Sequence, residues 1–134
     1  MQPKQFRKIL VSGRAAVGWL AILMPKVVAR AWGVTPPLSR EFRYTIRLFG
    51  IRNALMSYQL YQAERLDADP EEIEEVLRQG IVVDVFDVLF GFGASGKKSG
   101  TSFKVAIPVI ASLIGVLLAF LGRENTGVSE GQNE

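Results

Sequence analysis

The chain has no cysteine and no histidine among its 134 residues. Disulfides are therefore excluded, and a zinc site would have to use carboxylates alone, against that ion's preference for thiolate and imidazole ligands. No recognisable nucleotide or metal motif is present, so no cofactor is expected. Charge of one sign is not in large excess: 16 Lys and Arg stand against 13 Asp and Glu. Lys and Arg sit largely at the ends of apolar segments, which reads as membrane anchoring rather than nucleic-acid binding. No internal repeat is visible, and the length fits one domain.

The sequence does have blocks of apolar residues, which are interrupted by charge. Mean hydropathy is only +0.20, because charges lie inside the segments and polar residues fill the loops and tail. The clearest block, Val105 to Leu121, is 17 residues without a charge, bounded by Lys104 and Arg123. With helical ends added it approaches the roughly 20 residues needed to span a bilayer. Pro108 is read as lying in its first turn, where proline is tolerated. Three further segments are weaker. The approximate helices are 9–28, 44–62, 77–95 and 104–122, within one bundle over residues 1–123. A disordered polar tail is expected over 124–134. Pro25 is expected to kink or end the first helix. Arg14 interrupts the first run, and Met24-Pro25-Lys26 offers no small-x-small site, so this segment is expected to stay in the mature protein.

Connections are marked by composition. Gly33 and Pro36-Pro37 forbid a continuous helix between the first two segments, and Ser39 before Glu41-Phe42 is a start signal. Asp69-Pro70-Glu71-Glu72 resembles another helix N-terminus. A flexible loop carrying Lys97-Lys98 precedes the last segment.

The informative residues are the ionisable ones inside the segments. Asp84 and Asp87 interrupt the third, Arg52-Asn53 the second and Arg14 the first. Each such charge costs roughly 2.5–3.5 kcal/mol at a helix centre on insertion scales, so it is expected to face a partner or a cavity. At 100° per residue, small residues share stripes with these charges. The stripes are Arg14, Gly18, Ala21 and Pro25; Arg47, Gly50, Ala54, Ser57 and Tyr61; Gly80, Asp84, Asp87 and Gly91; and Pro108, Ala111, Gly115 and Gly122. Small residues let helix backbones approach closely in lipid. The expected fold is all-α: an integral membrane, antiparallel four-helix bundle. Its expected buried polar cluster is Arg14, Arg47, Arg52, Asn53, Asp84 and Asp87. Its expected packing positions are Gly18, Gly50, Ala54, Gly80, Gly91, Ala111 and Gly115.

Depth selects pairs. At a rise of 1.5 Å per residue, Arg14 and Asp84 lie roughly 8–10 Å from the side carrying the termini, and Arg52 and Asp87 roughly 15 Å. The expected pairs are Arg14–Asp84 and Arg52–Asp87. Arg47 lies near the opposite face, where it can snorkel. Arg52 points about 180° from the small-residue stripe of its own helix, so it is also a candidate for an outside partner or lipid head group.

Arg14 with Pro25 and Trp32-Gly33, Arg47-x-x-Gly50-x-Arg52-Asn53 and Asp84-x-x-Asp87 together resemble a family of small four-helix bacterial membrane proteins of actinobacterial type. The resemblance covers about residues 9–122. It is similar, more distantly, to DoxX-type membrane proteins. Asn53 stands where the family pattern carries an acidic residue. The resemblance implies topology rather than an activity.

The function expected is non-enzymatic: an accessory or interaction subunit in the plasma (inner) membrane. Its partners would be the lipid bilayer and a larger complex, such as a lipid or solute transporter, or a second copy. A proton- or cation-coupled transport role for Asp84 and Asp87 is the alternative, and head-group binding by Arg52 with Tyr58 and Tyr61 is a third. Both termini are expected on one side of the membrane. Basic residues divide almost evenly between the two sides, and a cytoplasmic N-terminus is the default.

Overall fold

A computed structural model describes residues 1–66, 69–94 and 102–123, with backbone alone for 91–94 and 102–106. All regular structure among the described residues is helical: α1 Pro3–Leu23, α2 Pro25–Ala31, α3 Arg40–Arg65, α4 Pro70–Ala94 and α5 Ser102–Leu121. The loop with Lys97-Lys98 and the 124–134 tail lie outside the described residues.

The first expected helix is two helices. Proline disfavours the helical conformation in the residue before it. Met24 accordingly adopts φ −130° and ψ 61°, and Pro25 opens α2 at its first position. The chain bends by 115° at this break. Gly33, at φ 79°, then takes a left-handed conformation that glycine adopts at no steric cost. The other starts follow local chemistry. The Ser39 hydroxyl accepts from the Phe42 backbone N–H at 3.0 Å, capping α3. The Asp69 carboxylate accepts from the Glu71 N–H at 3.0 Å, where α4 begins. Because α5 starts at Ser102, Pro108 lies beyond its first turn and within the helix, a correction to the sequence reading.

The four long helices alternate in direction. Arg7 meets Glu64, and Gly18 meets Ala54, so α1 and α3 are antiparallel. Arg52 meets Asp87 and Met56 lies against Gly80, so α4 runs opposite to α3. Arg123 meets Glu74, and Ser112 approaches Asp87, so α5 runs opposite to α4. The helices form a ring, with α1 packed most closely on α3 and α4 on α5. The starts of α1 and α4 and the ends of α3 and α5 share one end of the bundle.

Apolar cores occupy the two ends. Near the termini, Leu10, Leu60, Ala63, Ile73, Leu77 and Ala119 pack together. At the other end, Ala21, Val28, Ala29 and Ile46 are sealed by Trp32, Phe42 and Phe49. Trp32 meets both phenylalanine rings edge-on, at 6.5 and 5.3 Å between centroids.

The α1–α3 contact depends on absent side chains. A Cβ on Gly50 would lie 2.6 Å from the Gly18 carbonyl oxygen, and one on Gly18 would lie 2.7 Å from the Ala54 nitrogen. Both obstacles are backbone. This is close approach of the small-residue kind. Two packing expectations require comment. Ala111 is exposed, because α5 presents that flank to the exterior and turns Ser112 and Gly115 inward. The packing at Gly91 lies outside the described residues.

By length and composition, no single helix among the described residues is apolar enough to cross a membrane. The bent pair α1–α2 meets that criterion together, and Ile107–Leu121 is a shorter apolar helix.

Gly50→Ala should lower stability by about 1–3 kcal/mol, the usual cost of overpacking, despite alanine's better helix propensity. Gly13→Ala, whose Cβ meets nothing within 4 Å, should be neutral or stabilising. Thermal unfolding of both variants checks this, and equal stabilities would contradict the packing account.

Candidate functional site

The ionisable groups inside the bundle are joined across helices. Arg14 of α1 donates through Nη2 to Asp84 Oδ2 of α4. Their side chains are 9% and 7% exposed. Arg52 of α3 grips Asp87 of α4 bidentately, Nη1 to Oδ1 at 2.8 Å and Nη2 to Oδ2 at 2.5 Å. This second pair lies nearer the surface, at 36% and 25% exposure. The structure thus brings together both pairs expected from depth.

Neighbouring glycines make room for the first pair. A Cβ on Gly80 would lie 2.8 Å from Arg14 Nη1, and one on Gly115 would collide with the Asp84 carboxylate. These two glycines accommodate charged side chains, whereas Gly18 and Gly50 permit backbone contact. Spacing alone does not separate those uses, since both place a small residue on the inward stripe.

Arg52 fits its angular position once two neighbours are considered. Gly50 faces α1, whereas Met56, one turn from Arg52 and on its face, meets Gly80 of α4. Arg52 points away from α1 and reaches α4. Its guanidinium also lies 5.2 Å from the Phe49 ring centroid, a favourable cation–π arrangement. Its Nε is buried without a hydrogen-bond partner among the described residues.

The remaining expected site residues divide. Asn53 is buried and turns its amide onto the Phe49 carbonyl of its own helix at 2.9 Å. Ser57 donates to the Val11 carbonyl at 2.7 Å, bridging α3 to α1. Arg47 is exposed and leaves the expected buried cluster. It lies off the inward face of α3, which Ile46 and Gly50 occupy.

One buried arginine escaped the sequence reading. Arg7 is 3% exposed. Its Nε donates to Glu64 of α3 at 2.6 Å, and its Nη1 to the Gly122 carbonyl beyond α5 at 2.7 Å. A Cβ on Gly122 would lie 2.7 Å from the Arg7 stem. The signal was present: Arg7 is two helical turns before Arg14 on the same stripe, and Glu64 stands seven residues after Ser57.

Between α1 and α5 a groove of about 280 Å³ leads from the exterior to the ion pair. Ile9, Val17, Ile114 and Leu118 form its walls, and Arg14, Asp84, Asn53 and Ser112 contribute the polar part. A second, apolar groove follows α1 and α3 past Trp19, Leu55 and Tyr58. No protein-family model, curated protein or solved structure matches this chain.

Removing one member of a buried pair leaves an uncompensated charge, at a cost of about 3–5 kcal/mol. Asp84→Asn should therefore destabilise more than Asp87→Asn, because the second pair is more exposed. The reverse order in thermal unfolding would contradict the assigned burial. Combining Arg52→Asp with Asp87→Arg should restore expression lost in either single variant; no recovery would count against that pairing.

Proposed function

We propose that this chain is a multi-pass membrane bundle that serves as a non-enzymatic accessory or interaction subunit of a larger membrane assembly, such as a lipid or solute transport complex. The supporting observation is the inversion of polarity across the bundle. Arg7, Arg14, Asn53, Ser57, Asp84 and Ser112 are buried, whereas Trp19, Leu55, Phe86 and Leu117, one on each long helix, are more than half exposed. Water would penalise such an exterior, and soluble monomers rarely expose apolar patches beyond a few hundred Å². A bilayer accommodates apolar side chains and requires charges to turn inward and pair. Arg14, Arg52, Asp84 and Asp87, which interrupt the apolar stretches of three helices, are paired with one another across the bundle. In this reading the helices insert as a set and the ion pairs hold their register.

The accessory role is favoured over ion-coupled transport because Asp84 and Asp87 are both engaged by arginines. A carboxylate held in this way supports helix joining more directly than proton carriage. The plasma (inner) membrane is the proposed location, with the end carrying Arg7, Glu64 and Gly122 on the cytoplasmic side.

The protein should remain in the membrane pellet after an alkaline carbonate wash. Under mild detergent it should migrate with a stable partner or as a self-associated species. A carbonate-soluble chain would overturn the membrane placement, and a lone monomer would overturn the subunit role.

A further inference from the structure

The groove between α1 and α5 joins two features seldom found together: an apolar entrance and a buried guanidinium with unused donors. Arg14 carries five N–H groups. Among the described residues its hydrogen bonding is through Nη2 to Asp84, so Nε and Nη1 have no protein acceptor. Among the described residues the fully buried side-chain donor without a partner is Arg52 Nε, so these two Arg14 donors keep some accessibility, and a small acceptor that enters the groove can meet them. Arg14 lines the groove along with Asp84, Asn53 and Ser112. The walls above them are aliphatic, and Ile9, Val17 and Ile114 remain about half exposed. A missing side chain widens the entrance: a Cβ on Gly13 would meet nothing within 4 Å.

We propose that this groove is a binding site for one neutral, single-chain amphiphile, with its alkyl chain between α1 and α5 and a carbonyl or ester oxygen accepting from Arg14. The proposal rests on the membrane reading, because the groove then opens sideways into the acyl-chain region. Its volume of about 280 Å³ is just below the roughly 300–1,000 Å³ typical of ligand pockets, which limits the occupant to one chain with a compact polar end. Charge selects the head. Arg14 and Arg52 are matched by Asp84 and Asp87, so the ionic centre is already neutral. An anionic head would add an unmatched buried charge, whereas a neutral oxygen supplies the acceptor without one. Asn53 and Ser112, close to the ion pair, add groups able to meet a glycerol or ester end.

A monodecanoyl glycerol carrying a diazirine in its chain tests the site on the full-length protein in lipid nanodiscs. Photolabelling should be saturable and concentrated at Ile9, Val17, Ile114 and Leu118. Untagged monodecanoyl glycerol should compete at least tenfold better than decane or decanoate. Gly13→Phe should reduce groove labelling at least tenfold while thermal unfolding stays unchanged; Gly13→Leu, a smaller plug, provides the same reading if the first variant folds poorly. Label spread evenly over outer residues such as Leu55 and Phe86 would mean annular lipid only and overturn the site. Labelling indifferent to both Gly13 variants would do the same. Equal competition by decane would remove the role of Arg14, and equal competition by decanoate would remove the preference for a neutral head. Carbonate extraction, scored separately, distinguishes the two levels: scattered label on a carbonate-resistant protein rejects the site alone, whereas carbonate-soluble protein rejects both readings.

Discussion

The Arg14–Asp84 ion pair is the constraint to which the rest of the bundle is fitted. It joins α1 to α4, and Gly80 of α4 and Gly115 of α5 are small where its two ends need space. Asn53 of α3 lies beside it along the groove. All four long helices therefore adjust to one charged contact. A hydrophobic core tolerates sliding and volume-conserving exchange, but an ion pair in a tight recess fixes axial position as well as rotation. The apolar clusters lie toward the ends of the bundle, with the Arg14–Asp84 and Arg52–Asp87 pairs between them.

Under the proposed membrane placement, this layering would give polar groups the task that hydrophobic burial performs in water. In a bilayer, apolar side chains gain little by leaving lipid for one another, so association depends on packing and internal polar contacts. Arg7–Glu64, Arg14–Asp84 and Arg52–Asp87 link three different pairs of helices: α1 to α3, α1 to α4 and α3 to α4. Each arginine is long enough to cross a helix interface, and planar donors suit carboxylate partners. Short aspartates on α4 draw that helix close to both partners.

Much of this was legible in the sequence because helical periodicity and depth are one-dimensional properties. The pairing of Arg14 with Asp84 and of Arg52 with Asp87 needed only residue spacing and alternating helix direction. The starts at Ser39 and Asp69-Pro70 were also local signals. What escaped depends on neighbours. Arg7 looked like a terminal anchor because its acceptors, Glu64 and the Gly122 carbonyl, are brought to it only by folding. Arg47 looked internal from its stripe, but the buried face of α3 runs through Ile46 and Gly50 and leaves Arg47 outside it. Gly80 and Gly115 looked like helix contacts, because a missing Cβ does not reveal whether backbone or guanidinium will occupy its place. The sharp turn at Met24 was legible as a break, but its angle was not: proline weakens helical continuity, while the direction taken afterwards is set by what α2 packs against.

That turn has a mechanical consequence. After α1, the chain folds back through α2 and places Val28 and Ala29 against Ile46, with Trp32 wedged between Phe42 and Phe49. The α2 segment thus acts as a flange across the end of the α1–α3 pair. A straight continuation would leave the axial position of α1 to the Gly18–Gly50 contact and the ion pairs alone. The flange converts any axial displacement into a collision or the opening of an aromatic joint. It adds a restraint on the seating depth of α1 to the one that the Arg14–Asp84 pair supplies.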